Sequence, residues 1–149
     1  MKRSILFLCA IILYFANCSG PKPTEEVVEV DPASELEGVW ELTQVTMTTA
    51  DTSVTTTEFD SPTYKILVGD HWAFGRQVND STIMAGGGTF SYDGETYTEV
   101  IGYHAVSSVV GQTVNFDIEL NGDTWHHVGN ISDGEGNTTT LDETWVKVE

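Results

Sequence analysis

KILVGDHWAFGRQVNDSTIMAGGGTFSY, residues 65–92, is the stretch whose reading decides the fold. From Asp70 to Val78 the side chains alternate, with Trp72, Phe74, Arg76 and Val78 on one face and His71, Ala73, Gly75 and Gln77 on the other. Period-two alternation is the signature of a half-buried β-strand, and the aromatic face is expected to point inward. Asn79-Asp80 reads as a turn, and Thr82 to Tyr92 as a return strand with Met84, Phe90 and Tyr92 in one parity. Gly86-Gly87-Gly88 interrupts that strand. Consecutive glycines there mean a bulge, a sharp bend or a close approach by another backbone, so a barrel corner is expected. A phosphate-cradling loop is a poor rival, because no Lys-Ser or Lys-Thr follows and no helical period begins.

The same alternation extends outward in both directions. Gly38 to Met47 opens the domain with Trp40 and Leu42 facing one way, and seven of the twelve residues from Thr46 to Thr57 are threonine, which suits a ragged strand or lid. Tyr64 to Val68 follows Pro62. Asp93-Gly94 is a hairpin turn leading to Glu95–Ala105, with Tyr97, Glu99, Ile101 and Tyr103 opposite Thr98, Val100, Gly102 and His104. Thr113 to Leu120 sets Val114, Phe116, Ile118 and Leu120 against Asn115, Asp117 and Glu119. After Asn121-Gly122-Asp123 the chain returns through Trp125, His127 and Gly129, and Thr138 to Val148 closes it. About eight strands joined by short turns, with no helical period after the leader, predict an all-β, antiparallel up-and-down β-barrel; a β-sandwich is the alternative.

The amino terminus predicts export. Lys2 and Arg3 precede an apolar run from Ile5 to Phe15, too short to cross a bilayer but sufficient for a signal peptide over residues 1–17. Phe15-Ala16-Asn17-Cys18 resembles a bacterial lipoprotein box, with Phe15 and Asn17 departing from its preferred leucine and small residue. The resemblance implies lipidation of Cys18, anchoring to a membrane and, with Ser19 rather than Asp next, an outer-membrane address facing the periplasm or the surface. Residues 18–36 hold Pro21, Pro23 and Pro32 among acidic residues and read as a tether, leaving 37–149 as the barrel domain.

Removing the leader leaves 23 acidic residues against four basic ones, a formal charge of −19. Such a field repels phosphates and no basic stripe is present, so nucleic-acid binding is not expected. The two cysteines, Cys9 and Cys18, both precede the domain, which excludes a disulfide or thiolate metal site within it.

From Leu36 to Val148 the chain resembles the small lipocalin-like domain of Gram-negative bacterial lipoproteins, a mostly uncharacterised relative of lipocalin and fatty-acid-binding barrels. Gly38-Val39-Trp40, His71-Trp72-Ala73-Phe74, Gly86-Gly87-Gly88-Thr89-Phe90, Tyr97-Thr98-Glu99, Gly122-Asp123-Thr124-Trp125-His126-His127 and Glu143-Thr144-Trp145 carry the resemblance. It implies a closed or nearly closed barrel with an interior cavity, and no reaction or cofactor.

The expected function is therefore a lipid-anchored cell-envelope barrel holding a small hydrophobic or amphipathic ligand among Trp72, Phe74, Arg76, Tyr97, Tyr103 and His127. Arg76 is the residue of interest: it would clamp a ligand carboxylate or, structurally, pair with Glu99 or Glu143. The second reading is a non-enzymatic structural or interaction module filled by its own side chains. A cavity-based isomerase or hydrolase is weaker, because no Gly-x-Ser-x-Gly, defined carboxylate pair or His-Glu-x-x-His is present. Adjacent His126 and His127 face opposite sides of a strand and cannot share a metal, so no metal site is expected.

Overall fold

The computed structural model describes residues 31–80 and 82–148. The predicted signal peptide, Cys18 and the tether up to residue 30 lie outside the described residues. Among the described residues nine strands run in order: β1 (Gly38–Thr48), β2 (Ser53–Thr56), β3 (Thr63–Val68), β4 (His71–Asn79), β5 (Thr82–Tyr92), β6 (Thr96–His104), β7 (Thr113–Asn121), β8 (Thr124–Ser132) and β9 (Thr138–Lys147). From β3 to β9 each strand pairs antiparallel with the next, and β9 returns to β1 along Trp40–Thr48. β1 also pairs with β3 through its first residues and with the extra strand β2 through its last. The result is a closed eight-stranded up-and-down barrel with one added strand, which removes every barrel edge except that of β2. The threonine-rich segment is this β1–β2 hairpin, braced by Thr46–Thr55 and Thr48–Ser53 hydroxyl pairs at 2.8 and 2.9 Å.

The lower end is sealed from within. Asp31 caps a 3₁₀ turn, Pro32–Glu35, by accepting from the Ala33 N–H, and Leu36 behind it is buried although composition assigned it to the tether. The Trp40 indole N–H donates to the Leu36 carbonyl at 2.8 Å and the ring meets Trp125 edge-on at 5.5 Å. Lys147 covers that ring, its ammonium 5.1 Å from the centroid. Trp72, Phe90, Trp125 and Trp145 fill the space above. At the upper end Val109, from a short 3₁₀ turn Ser107–Val109, and Phe59 pack onto the core.

Three bulges among the described residues set which of them face the lumen. Thr43, Val78 and Gly102 each stand as an extra residue opposite a continuous partner strand. The Gly102 bulge sits against Gly88, where an added Cβ would meet the Val100 carbonyl and lie 2.7 Å from the Gly102 nitrogen, so only glycine fits the corner. The triple glycine is thus the bend that the sequence implied. The bulge also reverses the parity of β6, so His104 faces in and Tyr103, expected in the lumen, faces out.

Candidate functional site

Inward positions follow from the register. Thr63, Lys65 and Leu67 of β3 pair with Arg76, Phe74 and Trp72 of β4, all on the inner face. This places a lysine in the middle of the barrel. Lys65 is only 4% exposed, whereas its neighbours Ile66 and Val68 are 47% and 66% exposed. The hydrophobicity of β3 is inverted relative to the barrel.

What holds Lys65 inside is a polar cluster set in aromatic rings. Its ammonium donates to Glu99 Oε1 at 2.8 Å across the lumen, with both side chains nearly fully buried. The same oxygen accepts the Tyr97 hydroxyl at 2.8 Å. The rings of Trp145, Trp125, Trp72, Tyr97 and Phe116 surround the ammonium with centroids 5.0 to 6.0 Å away, within cation–π range. Burial and the neighbouring Glu99 charge push the Tyr97 phenol well above its ordinary value, so it stays a donor.

Beside it, His127 on β8 faces Glu143 on β9 directly across the ladder, Nε2 to Oε2 2.6 Å. Glu143 Oε2 also accepts the Trp145 indole N–H at 3.2 Å. Complete burial lowers the His127 pKa, with Lys65 adding to the effect and the Glu143 bond opposing it. Burial acts to raise the Glu143 carboxyl; the His127 hydrogen bond, the Lys65 charge and the Trp145 N–H together hold it below its ordinary value. The pair is therefore a neutral imidazole donating from Nε2 to a carboxylate, which leaves Nδ1 as an acceptor. That buried Nδ1 has no hydrogen-bond partner among the described residues, nor has the Trp125 N–H.

The sequence-selected residues separate into three places. Trp72, Tyr97 and His127 belong to this packed centre. Phe74 and Arg76 stand above it, half-buried, with Met84 and His104 on the neighbouring strands. The Phe74 ring lies 5.5 Å from His104, whose Nδ1 accepts the Val106 N–H at 2.9 Å. Tyr103 is not in the lumen: 56% exposed, it lies on the outer wall over Gly87, where a Cβ would meet its ring. Val78, expected with the aromatic face, is turned to solvent by its bulge. His126 pairs with Asp142 outside at 2.9 Å.

Neither suggested partner of Arg76 is available to it, since Glu99 holds Lys65 and Glu143 holds His127. Arg76 makes no salt bridge with any described residue, in a chain with 23 acidic residues. Its cross-strand neighbour Thr63 is buried with a hydroxyl that has no partner among the described residues. Lys65 was missed by sequence reasoning because Tyr64, Ile66 and Val68 form the more apolar parity of β3. The available signal was scarcity: only Lys65, Arg76 and Lys147 are basic within the domain.

Clefts among the described residues also lie outside the lumen. One, of about 410 Å³, runs beneath the first 3₁₀ turn between Asp31, Glu37, Asp70 and Tyr92. Another, of about 460 Å³, crosses the outer wall between Ile66, Val68, Ala73 and Tyr103.

A domain of unknown function, DUF4488, matches residues 35–149. No curated protein matches the chain. Among solved structures the chain is similar to a redesigned beta barrel, with 19% identity over 81% of this chain and 98% of that one, at a TM-score of 0.50. At that identity the likeness shows the barrel fold alone.

Proposed function

The chain belongs to the DUF4488 family, and we propose that this member is a lipid-anchored barrel of the cell envelope that holds an anionic amphiphile, such as a fatty acid, at its upper mouth. The observation carrying this reading is Arg76, a half-buried guanidinium on the inner face with no carboxylate partner among the described residues, paired in register with Thr63, whose buried hydroxyl has no partner among them either. In a chain this acidic, a cation left without a counterion among the described residues is suited to an external one. The ligand acid would take the guanidinium fork and the Thr63 hydroxyl, and its apolar part would meet Phe74, Met84 and His104. The centre packed around Lys65 forms the floor, so the ligand enters the upper third of the barrel and goes no deeper.

Calorimetric titration with dodecanoate tests the reading. Wild type is expected to bind, Arg76→Ala to lose at least about tenfold in affinity, as removal of a charge-assisted pair implies, and dodecanol to bind neither. Equal affinity of wild type and Arg76→Ala rules the clamp out. The packing of the lower barrel favours a second reading, a filled interaction module, which absence of any acid binding would leave standing.

A further inference from the structure

We propose that the outer wall formed by β3, β4, β5 and β6 rests on a neutral lipid surface, the bilayer to which the amino-terminal tether runs. The proposal rests on the reading that Cys18 carries the anchor. The inversion of β3 turns Tyr64, Ile66 and Val68 outward, and Ala73, Val100 and Tyr103 extend the same face across the neighbouring strands. Ile66, Val68, Ala73 and Tyr103 line the 460 Å³ cleft together with His71 and Thr89, and that lining contains no carboxylate although the protein carries 23. An apolar surface whose one titratable side chain besides Tyr103, His71, is paired with Asp70 at its lower rim is, on so acidic a protein, suited to a partner that is itself largely apolar and uncharged. The tyrosines present rings with polar tips, which suits the level of lipid headgroups.

The route of the chain puts this wall near the anchor. Asp31 lines the lower cleft together with Gly69 and Asp70, the turn that joins Val68 to His71 of the wall. Twelve residues, or thirteen Cα–Cα steps, separate Cys18 from Asp31. Even extended, at roughly 3.1 to 3.5 Å per residue they reach about 40 to 45 Å. A strand of nine residues rises roughly 30 Å. An anchored barrel therefore stays within about one and a half times its own height of the lipid. A second copy of the chain is disfavoured as the occupant, because each copy carries a formal charge of −17 before processing and repels its like.

Incorporation of 3-fluorotyrosine gives a direct test, since the domain holds Tyr64, Tyr92, Tyr97 and Tyr103. The mature chain beginning at Cys18 is coupled through that thiol to a maleimide lipid in phosphatidylcholine nanodiscs containing nitroxide-labelled lipid. The ¹⁹F resonances of Tyr103 and Tyr64 are expected to broaden severalfold more than that of Tyr97, and Ile66→Asp with Val68→Asp to abolish the difference. Equal broadening of all four, or none at Tyr103, overturns the proposal. So does a concentration-dependent shift of Tyr103 without lipid, which would assign the wall to a second copy. Intact mass of the envelope-purified protein separately reports acylation of Cys18, so failure of the anchor is distinguished from failure of the wall.

Discussion

β7 and β3 are strands of one barrel that solve opposite problems. β7 places Val114, Phe116, Ile118 and Leu120 inward and Asn115, Asp117 and Glu119 in water, so burial of apolar area alone fixes its orientation. β3 does the reverse, sending Ile66 and Val68 to the surface and Lys65 to the centre. A one-residue slip would invert β3 and bury the more apolar set. That it does not occur means the Lys65–Glu99 bond, the encircling rings and the pairing with β1 and β4 outweigh the apolar gain. Apolar burial dictates β7, whereas a buried polar cluster dictates β3 and leaves its apolar face outside.

The largest effect should come from leaving the β3 charge without its partner. Glu99→Leu strands the ammonium among aromatic rings, and urea unfolding should show a loss of about 3–5 kcal/mol. Adding Lys65→Met removes the stranded charge and should recover most of that loss, because an apolar isostere of a buried pair is often neutral or stabilising. On β7, Phe116→Ala is expected to cost about 3–5 kcal/mol, with no second change able to restore it in the same way.

The corner between these regions should be less sensitive. Gly88→Ala forces a Cβ against the β6 backbone, and a loss of about 1–3 kcal/mol is expected from the displacement. Acidification gives a further contrast. The folded His127 pKa lies below its ordinary 6.5, so its contribution is complete above that pH and falls as pH drops towards the folded value, when the unfolded chain binds the proton more readily. Glu143, also lowered, adds a second loss below about its ordinary 4.5. The urea midpoint should therefore decline from pH 7 to pH 5. In His127→Gln, which keeps a donor near Glu143, that decline should be weaker; an unchanged decline would assign it to other groups. The smallest effects belong to the outer face of β3, where Ile66→Ser or Val68→Ser should change stability by no more than about 0.5 kcal/mol.

Alternation and turn residues made the barrel legible, down to the bounds Thr82–Tyr92 and the corner at Gly86–Gly88. The candidate site was legible only in part. Arg76, Phe74, Trp72, Tyr97 and His127 face inward as their parity implied, since no bulge separates them from the strand centres. Tyr103 does not, because a single extra residue at Gly102 reverses everything beyond it and leaves no periodic trace in one strand. Lys65 was hidden for a different reason: its partners come from β6 and from rings spread over four other strands, so no local pattern could favour its inward placement. The extra strand β2 was blurred by a threonine run that suits strand and lid equally.

The central claim is that a ligand acid meets Arg76 at the mouth while Lys65 remains sealed in the floor. Nitrogen-detected NMR of the arginine and lysine side chains during titration with dodecanoate tests it most directly. The Arg76 Nε resonance is predicted to shift with saturation while Lys65 Nζ stays in place. A shift of Lys65 Nζ with Arg76 unmoved would contradict the account, placing the acid at the centre of the barrel in competition with Glu99.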